Sequence, residues 1–315
     1  MAILVVGGKR TELFAGAMRQ AAPALDIRSH PDTGRPEDIE YVLAWHPPAG
    51  LMASLPRLRL IVSVGAGVDH ILRDPELPDV PVVRFVDPDL TDRMTAYVAM
   101  SVLTHHRRMT EFRTQQDSRT WHYLPEAAAR DVRVGIMGLG VLGTAAAATL
   151  RGLGYTVRGW SRTAKTVPDV ACFAGEAGLD DFLAGTDILV VLLPLTADTR
   201  GLIDARVLSR LSRSGRDPGL PGPVLINAGR GGLQVEADIL AALDAGTLYA
   251  ASLDVFETEP LPDTSRLWQH PRVVITPHCA AESNPVAIGR YAIAAFAAHR
   301  DGRPLANLVD PRRGY

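Results

Sequence analysis

The chain has 315 residues, 47% of them hydrophobic and 22% charged, with a formal net charge of -2. That length allows two ordinary domains, each burying its own core, and the near-average composition excludes a long disordered tract. The charge balance leaves no basic footprint for nucleic acid or an anionic membrane surface, and no apolar run approaches the roughly 18–20 residues needed to span a bilayer.

In chain order, the N-terminus lacks a basic region before its short apolar run, so it reads as a first strand rather than a signal peptide. Apolar runs predict strands at 3–6, 41–44, 60–64 and 82–85. A long helical stretch is predicted from 92 to about 116. Within it His105, His106, Arg107 and Arg108 read as a solvated or subunit-contact face. A strand at 132–137 follows, then a helix at 144–150, and then strands at 156–160, 188–192, 224–226, 250–253 and 273–275. The helix at 237–245 ends at Gly246, and a last helix covers about 285–300. Residues 212–223, rich in Gly, Pro and Arg, read as a solvated surface insertion. Strands alternating with helices predict a doubly wound α/β fold in two halves, and the final helix can return to the first. Two cysteines, Cys172 and Cys279, cannot make a disulfide framework and fit a reducing cytoplasm. Cys279 reads as a packing residue.

The glycines at Gly138, Gly140 and Gly143, with Leu139, Val141 and Leu142 between them, sit between a strand and a helix. This is the context a dinucleotide-binding fingerprint requires. The first glycine permits the turn, the second lets backbone approach a pyrophosphate, and the third lets helix pack on strand. The phosphates then meet the free amides and positive dipole end of the helix. About 20 residues further on, an NAD site places a carboxylate against the ribose 2′-hydroxyl. This chain has Ser161, Arg162 and Thr163 there, with Lys165 close by, which favours the 2′-phosphate of NADP.

Three later segments carry candidate chemistry, each just past a predicted strand, where ligands sit in open α/β sheets. Asn227, Ala228, Gly229 and Arg230 offer a guanidinium flanked by glycine, suited to grip a carboxylate. Asp254, Glu257 and Glu259 cluster after the next strand without His or Cys at ligand spacing, so no metal site is expected. His278 follows the last strand. An imidazole is a natural proton donor near neutral pH, and a neighbouring carboxylate favours its protonated form.

Taken together, these residues resemble the D-isomer-specific 2-hydroxyacid dehydrogenases over essentially the full length. The matching stretches are Val64 to Asp69, the glycine fingerprint, Leu193 to Thr196, Asn227 to Gly231, Leu253 to Pro260, and Thr276 to His278. Within that family, Ala44 to Pro48, Trp160 to Arg162, and Pro260 to Pro271 look most like the glyoxylate/hydroxypyruvate reductase A subgroup.

The resemblance implies a Rossmann NADP-binding domain at 99–283, inserted in a flavodoxin-like substrate domain made of 1–98 and 284–315. It implies NADPH in preference to NADH, a small 2-oxo or 2-hydroxy acid as partner, and a cytoplasmic homodimer built around the helix after Asp92. Arg230 would hold the substrate, His278 would be the general acid, and Glu259 would pair with it. Gly65, Ala66 and Gly67 would form a carboxylate-binding loop of backbone amides, with Trp45 as pocket wall or buried core residue. Leu193, Pro194, Asn227, Ala228 and Asp254 would line the nicotinamide end. The sequence departs from many relatives at Ala96, where they carry Glu. Formate, phosphoglycerate or phosphite dehydrogenases share this fold, as does a nucleotide-sensing corepressor. The first group would expect a longer N-terminal region or an appended regulatory domain, and the corepressor would expect partner-binding tails.

Overall fold

A computed structural model describes residues 1–212, 217 and 219–315. The chain divides into two units, Met1–Leu90 with Glu282–Tyr315, and Thr91–Ala281.

The first unit contains β1 (Ala2–Val6), α1 (Thr11–Ala21), β2 (Asp26–Ser29), β3 (Ile39–Ala44), β4 (Leu60–Ser63), α2 (Asp69–Leu72) and β5 (Val82–Val83). The helix α3 (Pro88–His106) runs on into the second unit. That unit continues with α4 (Met109–Asp117), β6 (Arg133–Met137), α5 (Val141–Gly152), β7 (Thr156–Ser161), β8 (Ala171–Ala174), α6 (Leu179–Ala184) and β9 (Ile188–Val191). It is completed by α7 (Ala205–Arg210), β10 (Val224–Asn227), α8 (Glu236–Asp244), β11 (Ala250–Leu253) and β12 (Val273–Ile275). The closing helix α9 (Pro285–Arg300) belongs again to the first unit, where it packs on α1.

Both sheets are parallel, as the alternation of strands and helices predicts. The first has the order β2-β1-β3-β4-β5, a flavodoxin-like arrangement that reverses between β1 and β3. The second has the order β12-β11-β10-β9-β6-β7-β8 and reverses between β6 and β9. Its central strands are buried on both faces, which is why they read as unbroken apolar runs. Alternate side chains feed two separate cores. Leu189, Val191, Leu225 and Leu253 pack on one face, and Ile188, Val190, Val224 and Ile226 on the other. Each such side chain is worth about 1.5–3 kcal/mol when fully buried. The wholly buried Asp187 carboxylate adds a polar clamp, accepting the Arg133 amide at 2.9 Å and its guanidinium at 2.7 and 2.9 Å. It ties the start of β6 to β9.

Several expectations need correction. Strands β2 and β8 lie outside the predicted set: both are sheet edges, β2 (DIRS) being mostly polar and β8 (ACFA) a short, partly exposed run with no β-branched residue. The single long helix is two helices, broken where Arg108 turns into the left-handed region (φ 57). His105 and His106 face neither solvent nor a second subunit but are 2% and 4% exposed. His106 Nε2 donates to the Ala127 carbonyl (2.9 Å), so its Nδ1 accepts from the Tyr155 hydroxyl (2.7 Å). Of the stretch 212–223, residues 213–216 and 218 lie outside the described residues. Among its described residues Pro221 is exposed, whereas both ends are buried. Ser212 and Leu220 are buried, Ser212 accepting from Arg133 at 2.6 Å and Leu220 joining a core.

Candidate active site

The glycine turn between β6 and α5 shows a separate physical reason for each glycine. Gly138 has φ +108, and a Cβ there would lie 2.7 Å from the Leu192 carbonyl oxygen. A Cβ on Gly143 would lie 1.9 Å from the Gly138 carbonyl oxygen, so only glycine lets α5 come this close to the strand. Gly140 is the opposite case: nothing lies within 4 Å of its Cβ position. Gly140 is also the N-cap of α5, so the helix start faces open space with no side chain before it. That is the cradle a pyrophosphate needs, and the residues present fit a dinucleotide.

The end of β7 is held beside this turn by the Gly138 amide, which donates to the Trp160 carbonyl (2.8 Å). Ser161 Oγ donates to the Thr163 carbonyl, and Lys165 Nζ donates to the Leu139 carbonyl at 2.7 Å, so Lys165 arches back to the glycine turn. The Arg162 guanidinium stands 3.9 Å from Asp198 and is 44% exposed. Val141 is exposed at the first turn of α5, whereas Leu193 and Ala228 are buried in the cores on opposite faces of the sheet.

The carboxyl ends of β10, β11 and β12 bring Asn227, Asp254, Glu259 and His278 into one hydrogen-bonded region, with Arg230 close by. Asn227 is fully buried. It receives the Gly229 amide and donates to the Arg230 carbonyl (3.1 Å) and to Gln234 (2.8 Å), shaping the loop that presents Arg230. Gln234 in turn donates to the Val255 carbonyl. Glu236 and Glu257 each accept the other's backbone amide at 2.7 Å, which fixes the loop after β11 to the start of α8.

Glu259 then reaches His278, with Oε2 2.7 Å from Nδ1, while Oε1 accepts the Phe256 amide at 3.0 Å. Burial works to raise the Glu259 carboxyl. The hydrogen bond and charge of His278, the Phe256 amide and the Arg230 charge outweigh it and leave the group below its ordinary range. The carboxylate is therefore ionised beside the ring, and Nδ1 is the donor. His278 itself adopts φ 53 in the turn after β12. Cys279 is exposed rather than packed; its backbone amide, next in this turn, donates to Asp254 at 2.9 Å.

In the first unit, Trp45 follows β3 and is half-buried, its ring against His46 and His70 with centroids 4.8 and 4.6 Å away. Gly65, Ala66 and Gly67 follow β4. A Cβ on Gly65 would lie 2.9 Å from the Trp45 ring. The Gly65 amide donates to Ser63 Oγ at 3.3 Å, within the loop.

Sequence reasoning missed Gln234, the Glu236–Glu257 clamp, and a buried polar face on α3. Tyr97 hydrogen-bonds Thr276 (2.8 Å) and His105 hydrogen-bonds Ser252 (2.7 Å). Tyr97, Ser101 and His105 recur at four-residue spacing, on one face of α3, and all three are buried. That spacing is the signal which could have exposed them.

This fold and site define a nicotinamide-dinucleotide type of oxidoreductase. The model for the D-isomer specific 2-hydroxyacid dehydrogenase NAD binding domain matches residues 99–280. The fold is similar to the Sinorhizobium meliloti NADPH-dependent glyoxylate/hydroxypyruvate reductase solved with NADP and sulfate. Identity is 43%, all of both chains is covered, and the TM-score is 0.93. It is also similar to a D-isomer specific 2-hydroxyacid dehydrogenase of Xanthobacter autotrophicus Py2 in complex with NADPH and MES, at 41% identity, 100% and 99% coverage and TM-score 0.92. A probable 2-hydroxyacid dehydrogenase of Rhizobium etli CFN 42, solved with NADP, HEPES and L(+)-tartaric acid, gives 43%, 100% and 99% coverage, and 0.93. The chain belongs to the D-isomer specific 2-hydroxyacid dehydrogenase family.

Proposed function

We propose that this enzyme reduces a small 2-oxo acid, of the glyoxylate or hydroxypyruvate type, to the D-2-hydroxy acid with NADPH. The observation that carries the reading is the Glu259–His278 hydrogen bond of 2.7 Å at the carboxyl edge of the sheet, with Arg230 near enough to act on the same carboxylate. The relatives solved with NADP or NADPH support the cofactor.

When bound, NADPH supplies the hydride that the substrate's carbonyl carbon accepts. The phosphate end is assigned to Gly138, Gly140, Gly143 and the start of α5, and the 2′-phosphate to Arg162 with Ser161, Thr163 and Lys165. Arg230 binds the substrate carboxylate and the carbonyl oxygen, where negative charge grows as the hydride arrives. His278 donates a proton from Nε2 to that oxygen, since Nδ1 is committed to Glu259, which holds the ring in orientation. In the reverse direction the same nitrogen takes the proton back. Trp45 and the loop Gly65 to Gly67 are assigned to the substrate, and Leu193, Pro194, Asn227, Ala228 and Asp254 to the nicotinamide end.

The direct test is oxidation of NADPH and NADH against glyoxylate, hydroxypyruvate and phenylpyruvate. Turnover with NADPH and at least one of these acids is expected, and none with any of them overturns the reading. We place the protein in the cytoplasm as a homodimer. Supporting the dimer, Met109, Trp121 and Tyr123 are exposed on and just after α4, with Trp121 fully so. A monomeric mass in light scattering removes that part.

A further inference from the structure

Asp254 is 1% exposed and sits directly after β11, and its carboxylate is surrounded by donors from the turn that carries His278. Oδ1 accepts the Thr276 hydroxyl at 2.6 Å and the Cys279 amide at 2.9 Å, and Oδ2 accepts the Ala280 amide at 3.0 Å. The Asp254 carbonyl takes the His278 amide at 2.8 Å. These bonds pin the three consecutive amides of His278, Cys279 and Ala280 around a histidine in the left-handed region (φ 53), a conformation a non-glycine residue keeps only when its surroundings dictate it.

Thr276 has one hydroxyl proton, and Asp254 takes it. Its oxygen must then accept from the Tyr97 hydroxyl, 2.8 Å away, so the direction of the whole chain is fixed from Tyr97 to Thr276 to Asp254. Tyr97 comes from the middle of α3, is 8% exposed, and is held protonated because burial drives its hydroxyl up to about 12.

We propose that Tyr97 is a positioning residue, acting through Thr276 and Asp254 to hold the turn that presents His278. The helix α3 thereby reaches the turn that carries His278. The assignment rests on the reading of His278 as the general acid. A series of hydrogen bonds to one charged acceptor strengthens each of its members, so losing the first hydroxyl loosens the last amides.

The test compares Tyr97→Phe, Thr276→Val, Thr276→Ser and the Tyr97→Phe/Thr276→Val double variant in the full-length enzyme. Tyr97→Phe should lower kcat about threefold to tenfold, the value of one hydrogen bond, with KM for NADPH and for the 2-oxo acid unchanged. Thr276→Val should do the same or more, Thr276→Ser should retain wild-type kcat, and the double variant should be no worse than Thr276→Val. Amide exchange should quicken at His278, Cys279 and Ala280 in Tyr97→Phe but not in β10. Additive losses, or wild-type kcat in Tyr97→Phe, would overturn the proposal, even if exchange quickens. If the wild-type enzyme turns over no 2-oxo acid, the functional reading falls. The exchange arm still decides whether Tyr97 holds the turn, and unchanged exchange refutes it.

Discussion

The buried imidazole of His105 makes the stability of the second unit depend on pH. Burial lowers its pKa from 6.5 to about 4, against a small opposing effect of Glu111. Above pH 6.5 the ring is neutral both folded and unfolded, and its full contribution to stability is present. As pH falls from 6.5 towards 4, the unfolded chain takes a proton that the folded protein refuses, so stability is lost at up to about 1.36 kcal/mol per pH unit. The difference between 6.5 and about 4 gives a loss of about 3 kcal/mol. Below pH 4 the folded protein also accepts the proton, and the loss levels off.

Other groups titrate over the same range, so the measurement is a difference between wild type and His105→Gln. The glutamine amide can replace Nε2 against Ser252 Oγ, at a cost of about 1–2 kcal/mol at pH 7 for imperfect packing and hydrogen bonding. Urea unfolding followed by tryptophan fluorescence reports on the second unit chiefly through the buried Trp160, with Trp268 half-exposed and Trp45 reporting on the first unit. Wild type should be the more stable at pH 7 and the less stable at pH 4. Two parallel stability curves across that range would show that His105 is not a buried neutral ring, and the argument from its burial would fail.

Other variants address the site. His278→Ala should lower kcat by roughly 10²–10⁴-fold, the usual contribution of a general acid; steady-state kinetics that leave kcat unchanged remove His278 from the chemistry. Arg162→Ala should weaken NADPH far more than NADH in fluorescence titrations, and equal losses would mean that Arg162 does not read the 2′-phosphate. Gly143→Ala and Gly140→Ala make a contrasting pair. The first must push a methyl to 1.9 Å from the Gly138 carbonyl and should lower the melting temperature, while the second meets nothing within 4 Å and should weaken only NADPH binding. Thermal melts with a normal midpoint for Gly143→Ala would contradict the close packing of α5 on β6.

Much of the fold was legible because parallel strands buried on both faces must be apolar throughout, so β1, β3, β4, β9, β10 and β11 stand out in the sequence. At the sheet edges β2 (Asp26–Ser29) is polar at three of its four positions and β8 (Ala171–Ala174) has no β-branched residue, so neither carries a strong strand signal. The glycine spacing and the candidates Arg230, Glu259 and His278 were visible too, because each follows a predicted strand, where ligands gather in open α/β sheets.

What sequence by itself determined is the local code: strand, turn and helix at Gly138 to Gly143, a basic cluster at Ser161 to Lys165, and an acid and a histidine after successive strands. Tertiary structure alone decided which polar groups share a proton. Tyr97 and Thr276 are 179 residues apart and His105 and Ser252 are 147 apart, and no local pattern encodes such pairings. It also reversed the reading of His105 and His106, because a charged-looking run on a helix is buried or solvated according to what packs against it. The physical reason is one of range. Backbone conformation and apolar periodicity act over a few residues, whereas burial and hydrogen-bond partners are set by strands and helices that meet only once the chain has folded.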